Sequence, residues 1–315
     1  MVSSRKLMII SGLIFLVWVG VGILMYTSPS MKLPSDDQNL IMSEEVVKCK
    51  TYGQKLSPDF WKHVDLQRDI PSSVNKTVPQ IAVHSDFATI QNTKIHYLYA
   101  VHPNPAMKKD VSVLLLHGQA FTSDIWRKLN TIQNIAAFGF HPVAIDLPKY
   151  GKSPAIENLN RGEFLDSVIK TLNLKNPVII SPSMSGSFSL PYLLEHSDKL
   201  AGFVPVAPVG INILDKSSCK NGENVYKTSL SEDCERIKGY LKKQPPDLSC
   251  IKVPTLVVFG EKDRGENSAK LCFLPNSQGA EIPNGSHTAY KSDPELWHKL
   301  LYNFLSVINE TLKCK

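Results

Sequence analysis

The spacing of apolar residues divides the chain into three regions. The 20 residues from Leu7 to Tyr26 carry no charge and are mostly apolar. Residues 27–78 contain several prolines and polar runs without a sustained period, which is typical of a stalk or linker. From residue 79 onward, short apolar runs alternate with segments whose apolar positions recur at helical spacing, so this part of the chain is predicted to fold as a domain.

The order of these elements predicts the fold class. Strands that are apolar on both faces belong inside a sheet that helices cover on each side. Because strands and helices alternate, we predict an α/β domain with a mostly parallel sheet and right-handed crossovers. The predicted strands are 80–90, 93–102, 111–116, 141–147, 177–180, 200–207, 253–259 and 279–282, and the predicted helices are 125–138, 161–174, 187–195, 268–274 and 294–308.

The apolar segment Leu7–Tyr26 is long enough to cross a bilayer, since about 1.5 Å per helical residue covers the roughly 30 Å hydrocarbon core. Arg5 and Lys6 precede it, and the first residues after it are uncharged. Positive residues tend to stay in the cytosol. We therefore predict a cytosolic segment at 1–6, a single transmembrane signal anchor at 7–26 and a type II protein with a luminal or extracellular domain. A cleaved signal peptide is the competing interpretation, and a cytoplasmic pool stays open.

The stalk or linker is predicted to cover residues 27–78. Phe60 and Trp61 within it are expected to dock on the domain. The domain is predicted over 79–315, with a long inserted loop at about 211–250.

Two further features of the sequence are relevant to the cellular compartment in which the domain is expected to reside. Asn75, Asn284 and Asn309 each begin an acceptor triplet for N-glycosylation. The six cysteines are an even number, as disulfides would require, although unpaired thiols remain an alternative. If a bridge forms, Cys219 to Cys234 is the first candidate, because both lie in one polar loop segment.

The amino-acid composition argues against some classes of function. The chain is 43% hydrophobic and 20% charged, which is ordinary for a globular protein with a large core. Its 35 basic and 29 acidic residues give a formal net charge of +6. The basic residues are scattered and form no stripe interleaved with aromatic residues, so a nucleic acid partner is not expected. No cysteine pair has the C-x-x-C spacing of a metal site, and no metal is predicted.

The stretch Ser181–Gly186 joins a predicted strand to a predicted helix. A sharp strand-to-helix turn lifts a nucleophile out of the sheet, provided that the residues two before and two after it are small. Ser183 is at the centre of such a turn. Ser181 and Ser185 occupy the positions two before and two after it, where glycine is usual. We predict Ser183 as the nucleophile. Ser185 is the alternative, and a serine-rich loop without catalytic function is the competing interpretation.

An acid and a base follow in the order expected for a catalytic triad. Asp263 comes after the strand at 253–259 and lies further out in the turn than Glu261, the rival acid. His287 lies in a loop where Gly285 permits a tight turn. Each alone could be an ordinary surface residue. Serine, aspartate and histidine in this order, each at a strand end, nevertheless predict a Ser-His-Asp triad.

The segment His117–Ala120 follows directly after a predicted buried strand. The backbone N–H groups of Gln119 and Met184 are the expected donors to the oxyanion of a tetrahedral intermediate. His117 itself is interpreted as a structural residue that holds this loop.

These motifs resemble the α/β-hydrolase superfamily and, within it, the membrane-anchored branch of the α/β-hydrolase domain-containing protein 14 family. The resemblance covers about residues 80–308 and implies an esterase-like enzyme for short acyl groups that uses Ser183, Asp263 and His287 and needs no metal or organic cofactor. It is carried by Leu114–Gly118, Ala144–Pro148, Ser181–Gly186, Leu190–Leu193, Gly202–Pro208, Val253–Leu256 and His287.

Two departures from the family pattern affect substrate inference. Lys149 and Tyr150 stand where relatives tend to have glycine and an apolar residue. The segment Ile211–Cys250 is longer than the family pattern implies, in a place where such folds insert lids.

The predicted reaction is two-step acyl transfer from a small ester, thioester or amide, or from an acylated protein. The lipid bilayer is the second predicted partner, through the N-terminal helix. The oligomeric state is not predicted. The alternative is a catalytically weak or inactive membrane-tethered binding or scaffold protein, because a fold alone does not establish activity.

Overall fold

The computed structural model describes residues 59–217, 219, 229–263 and 265–314, all within the compact unit Val46–Lys315. The predicted cytosolic segment, the anchor and residues 27–58 of the predicted stalk lie outside the described residues. Within the described part of the chain, no helix is long and apolar enough to span a membrane.

Eight strands form one sheet in the order β1-β2-β4-β3-β5-β6-β7-β8. The pairs β1–β2 and β2–β4 are antiparallel, and all other neighbours are parallel. The predicted mostly parallel sheet is thus confirmed. The strands are β1 Val83–Ile90, β2 Thr93–Ala100, β3 Ser112–Leu115, β4 His141–Ile145, β5 Val178–Pro182, β6 Gly202–Val206, β7 Thr255–Gly260 and β8 Ser277–Ile282.

Helices cover both faces of this sheet, as the alternating pattern predicted. The α-helices are α1 Ser72–Thr77, α2 Asp124–Lys128, α3 Thr131–Ala137, α4 Arg161–Thr171, α5 Gly186–His196, α6 Glu232–Ile237, α7 Ala289–Ser292 and α8 Pro294–Lys313. One apolar core contains residues of α3 and α8, and the other contains residues of α4 and α5. Burial of these two cores supplies the main stabilisation of the domain.

The predicted helix 125–138 is wrong as a single element, because the structure has α2 and α3 there. Asn130 between them adopts a left-handed φ of 56°, which an α-helix of L-residues does not continue through. The predicted helix 268–274 is a 3₁₀ segment, Ala269–Phe273. A segment this short accommodates the tighter 3₁₀ turn, a frequent connector between longer elements.

The segment before β1 packs on the domain through Trp61, which is buried with its ring 5.7 Å from that of Phe304. The side-chain amide of Asn303 donates to the carbonyl oxygens of Leu66 at 3.0 Å and Arg68 at 2.9 Å. The docking expected of Trp61 is therefore observed, and the adjacent chain is held to α8 by hydrogen bonds.

The predicted Cys219–Cys234 bridge is wrong. Cys219 is bonded to Cys250, and Cys234 to Cys272. Cys234 lies buried in α6, which packs against the 3₁₀ segment that carries Cys272, whereas Cys219 meets the far end of the insertion. The two cysteines that are close in sequence do not pair with each other, because α6 turns away and covers the edge of the sheet. None of the described cysteines is free.

The inserted segment protects the open edge of the sheet at β8. Ser231 Oγ accepts a hydrogen bond from the N–H of Gly279 at 2.8 Å. Asp233 Oδ2 accepts one from the N–H of Glu281 at 2.7 Å. An unpaired strand edge is a template for association with other chains. This part of the insertion therefore contributes to the integrity of the fold.

Candidate active site

Ser183 sits at the predicted strand-to-helix turn. β5 ends at Pro182, a 3₁₀ turn covers Ser183–Ser185, and α5 begins at Gly186. Ser183 has a left-handed φ of 48°, a strained conformation of the kind found at nucleophile turns. Its carbonyl oxygen accepts a hydrogen bond from the N–H of Val209 at 2.8 Å. This bond helps to hold the strained turn in place.

The serines that replace the usual glycines form a buried hydroxyl cluster. Ser181 Oγ lies 3.1 Å from Ser185 Oγ and 2.6 Å from Ser189 Oγ. Ser185 donates to the carbonyl oxygen of Pro182 at 2.7 Å. Its hydroxyl is therefore directed into the fold, which favours Ser183 over Ser185 as the nucleophile. Ser189 was not among the predicted site residues, although its helical spacing from Ser185 is visible in the sequence.

Ser183, His287 and Asp263 are brought together in one hydrogen-bonded chain. His287 Nε2 lies 2.8 Å from Ser183 Oγ. His287 Nδ1 lies 3.0 Å and 3.1 Å from the two carboxylate oxygens of Asp263. Because an ionised carboxylate only accepts, Nδ1 carries the proton and Nε2 accepts the hydrogen bond from Ser183. This is the protonation pattern that a general base requires.

The environment tunes the basicity of His287. Its hydrogen bond to Asp263 favours the protonated ring and outweighs partial burial, so the pKa of His287 is raised from the ordinary value of 6.5. The side chain is 40% exposed and that of Asp263 19%. A proton acceptor near neutral pH that remains open to solvent suits general base catalysis.

Glu261, the rival acid, has a different partner. Its Oε2 accepts a hydrogen bond from the N–H of Asn284 at 2.7 Å, which anchors the loop that carries His287. A Cβ at Gly260 would come within 2.3 Å of the Ser286 carbonyl oxygen. Only glycine permits the end of β7 to approach the histidine loop this closely.

His117 has the structural environment that the sequence analysis assigned to it. It is fully buried, its Nε2 accepts from the N–H of Leu147 at 3.0 Å, and its Nδ1 donates to the carbonyl oxygen of Gly118 at 2.9 Å. Burial lowers the pKa of His117. The neutral ring thus ties the loop after β3 to the loop after β4.

The loop after β3 lies beside Ser183. A Cβ at Gly118 would stand 3.7 Å from Ser183 Cβ and 3.6 Å from the Phe121 ring. Gly118 therefore lies next to Ser183. Gln119 follows Gly118 in the chain and Met184 follows Ser183, so the two predicted donors belong to segments that meet at Ser183.

A cavity of about 670 Å³ opens next to this loop. Its wall includes Tyr150, whose ring centroid is 5.1 Å from that of His117. Lys149 before it has a left-handed φ of 79°, a backbone conformation that favours glycine. The cavity is lined by Gln119, Ala120, Phe121, Thr122, Asp124, Ile125, Lys128, Leu129, Tyr150 and Lys291.

The predicted glycosylation acceptors occupy different environments. Asn75 is exposed in α1, and Asn284 is exposed in the loop before His287. Asn309 is half-buried in α8. Glycosylation of each stays a prediction.

Comparison with known proteins gives the family context of this site. A family model described as "alpha/beta hydrolase fold" matches residues 111–221. ABHD14A of Danio rerio is 35% identical over 206 residues, which cover 63% of this chain and 66% of that protein. "Putative protein-lysine deacylase ABHD14B" of Homo sapiens is 38% identical over 202 residues, covering 62% of this chain and 82% of that protein.

Solved structures agree at the level of the fold. A serine hydrolase involved in carbazole degradation (CarC) aligns with a TM-score of 0.52 and 23% identity, over 72% of this chain and 100% of that one. Carboxylesterase CesB from Bacillus subtilis aligns with a TM-score of 0.52 and 16% identity, over 84% of this chain and 98% of that one. Taken with its α/β sheet, these similarities identify the chain as a member of the ABHD14 family of α/β hydrolases.

Proposed function

We propose that this protein is a serine hydrolase that cleaves or transfers short acyl groups through Ser183, His287 and Asp263. The observation that carries the proposal is the continuous hydrogen-bonded chain from the Ser183 hydroxyl through the imidazole to the Asp263 carboxylate. A serine hydroxyl is a weak nucleophile alone and is activated when an oriented base can take its proton.

In the first step, Ser183 Oγ attacks the carbonyl carbon of an ester, thioester or amide while its proton passes to His287 Nε2. Asp263 stabilises the resulting imidazolium without itself being protonated. The imidazolium then donates the proton to the leaving alcohol, thiol or amine. Water or another acceptor, deprotonated by the same imidazole, releases the acyl group in the second step.

The N–H groups of Gln119 and Met184 are the proposed donors to the oxyanion. They belong to the two segments that meet at Ser183, and the His117 contacts keep the first segment in position. Donors that are fixed before the reaction stabilise developing charge without reorganisation, and the loss of one typically costs about 10²- to 10³-fold in turnover.

The cavity next to Gln119 is the proposed space for the acyl group, and Ser183 and His287 are not among the residues that line it. Ala120, Phe121 and Ile125 give it an apolar wall, whereas Lys128 and Lys291 place cations at its margin. A relative is named as a protein-lysine deacylase. An acylated lysine side chain, which is an amide, therefore belongs among the proposed substrates together with small esters and thioesters.

The decisive experiment compares wild type with Ser183→Ala and Ser185→Ala, in the domain beginning near residue 45. A fluorophosphonate probe and p-nitrophenyl acetate and butyrate report nucleophile reactivity and turnover, and peptide mapping locates the adduct. We expect Ser183→Ala to lose labelling at residue 183 and to lose turnover by at least about 10³-fold. Ser185→Ala is expected to retain both. An unlabelled Ser183 in folded wild-type protein refutes the proposal.

We also propose that the domain resides in an oxidising compartment, as a membrane-anchored member of the A-type branch would. The two disulfides Cys219–Cys250 and Cys234–Cys272 support this, since cytosolic proteins rarely keep structural disulfides. In cells, glycosidase treatment is expected to increase the electrophoretic mobility of the protein, and protease is expected not to reach the domain in intact vesicles. Digestion of the domain in intact vesicles contradicts the assignment.

A further inference from the structure

A second Ser-His-Asp arrangement lies at the antiparallel end of the sheet. Ser85 Oγ on β1 is 2.8 Å from His96 Nε2 on β2. His96 Nδ1 is in turn 2.8 Å from Asp146 Oδ2, directly after β4. The order of atoms is that of the Ser183 site, and the serine–histidine distance is the same. β1, however, is the edge strand at the far end from β8.

The protonation pattern follows from the surroundings of Asp146. The residue is 2% exposed, and its carboxylate accepts hydrogen bonds from the N–H groups of Ser123 at 2.8 Å and Lys152 at 2.9 Å. Burial acts to raise the pKa of Asp146, but these hydrogen bonds and His96 together hold it below the ordinary value. An ionised Asp146 only accepts, so the Nδ1–H of His96 donates to it and Nε2 faces the Ser85 hydroxyl.

Ser85 differs from its partners in its access to solvent. His96 is 4% exposed, whereas Ser85 lies on the exposed face of the edge strand. Phe87 beside it is 48% exposed, and its ring centroid lies 5.2 Å from that of His96. A buried, oriented base thus meets an accessible hydroxyl next to an apolar surface that can hold an aryl or acyl group.

We propose that Ser85 is a second nucleophilic serine, a self-acylation site that takes acyl groups from small activated donors such as aryl esters and thioesters. In the reaction, the bond between Ser85 Oγ and the acyl carbon forms while the bond from that carbon to the leaving phenolate or thiolate breaks. The Ser85 proton passes to His96 Nε2 and then to solvent. Asp146 keeps the ring oriented and stabilises the transient imidazolium.

The buried residues His96 and Asp146 also have a structural role, which is separate from this chemistry. The N–H of His96 donates to Ser153 Oγ at 3.0 Å, and the N–H of Asp146 donates to the His96 carbonyl oxygen at 2.9 Å. These contacts hold the turn after β4, and the Ser85 hydroxyl contributes nothing to them. Removal of that hydroxyl therefore leaves the fold intact.

The test uses Ser183→Ala protein, so that it does not depend on Ser183 chemistry. The protein is incubated with p-nitrophenyl acetate and then digested, and the acetyl groups on each serine are quantified by mass spectrometry over time. We expect acetylation of Ser85 to be at least tenfold faster than that of Ser167, a half-buried serine whose hydroxyl donates to the Glu163 carbonyl oxygen. Adding Ser85→Ala is expected to abolish that adduct, and adding His96→Gln to slow it at least tenfold.

Equal rates at Ser85 and Ser167 overturn the proposal. So does an unchanged Ser85 rate in a His96→Gln protein whose circular dichroism and melting temperature match those of its parent. If His96→Gln does not fold, the Ser85-to-Ser167 rate ratio in the Ser183→Ala parent decides alone. The Ser183 assignment is tested separately. If it is wrong, residue 183 of the wild-type protein carries no fluorophosphonate adduct.

Discussion

Both carboxylate oxygens of Asp263 lie close to Nδ1 of His287, at 3.0 Å and 3.1 Å. This contact fixes the ring tautomer, since only an Nδ1–H can donate to the carboxylate. In Asp263→Asn the side-chain amide can donate to Nδ1 and stabilise the wrong tautomer. We expect kcat for p-nitrophenyl acetate to fall by about 10⁴-fold.

The matched control for this prediction is Glu261→Gln. Glu261 accepts a hydrogen bond from the N–H of Asn284, which the glutamine oxygen can replace. Turnover within about threefold of wild type is expected for that variant, since no group of the triad changes. Equal losses in the two variants contradict the assignment of Asp263 as the orienting acid.

With His287 as the proposed base, its raised pKa is expected to set the acidic limb of the activity profile. The base is active when neutral, so kcat/KM rises as pH increases through the pKa of His287 and levels off above it. Because Asp263 raises this pKa above 6.5, the wild-type limb is expected above pH 6.5 and the residual activity of Asp263→Asn should titrate at lower pH. A limb that stays at the same pH in the variant contradicts the Asp263 contribution.

A buried histidine outside the candidate site is expected to lower the free energy of unfolding when it is protonated. His298 is 9% exposed and hydrogen-bonds Thr131 at 3.1 Å, and burial lowers its pKa from 6.5 to about 4. Between these values the unfolded chain binds more protons than the folded one. The stabilisation is therefore full above pH 6.5 and is lost as pH falls towards 4, a change on the order of 3 kcal/mol.

Urea unfolding at several pH values between 4.5 and 7.5 measures this effect. His298→Gln removes the titrating group and is expected to flatten the dependence of the unfolding free energy on pH. His63→Gln serves as the control, because His63 is exposed and its replacement should leave the curve unchanged. An acid-induced loss of stability as steep in His298→Gln as in wild type rules His298 out as its source.

The sequence predicted which three side chains the strand ends bring together, and their catalytic role stays a prediction. Ser183, Asp263 and His287 each follow a strand, and parallel strands bring their carboxyl ends to one edge of the sheet. Local patterning did not anticipate the break at Asn130, because a single left-handed residue leaves the apolar period unchanged. It also misassigned Cys234, whose partner Cys272 lies 38 residues away and becomes a neighbour only after α6 packs against the following 3₁₀ segment.

Lys291 is expected to favour acyl groups that carry a negative charge. Its Nζ lies 4.9 Å from the centroid of the Phe121 ring at the cavity wall. Lys128, on the same cavity, already pairs with Asp124 at 3.1 Å. An exposed ion pair contributes up to about 1 kcal/mol, so Lys291→Met should lower kcat/KM for a succinyl-lysine peptide by about two- to fivefold and leave that for an acetyl-lysine peptide unchanged.

Lys128→Met provides the matched comparison within the same cavity, since it removes a lysine that is neutralised by Asp124. Steady-state kinetics of both variants with the two peptides isolate the charge effect from any general damage to the pocket. A selective loss for the succinyl peptide in Lys291→Met alone assigns the recognition to Lys291. An equal loss for both peptides means that Lys291 supports the cavity wall through Phe121 and does not read the charge of the acyl group.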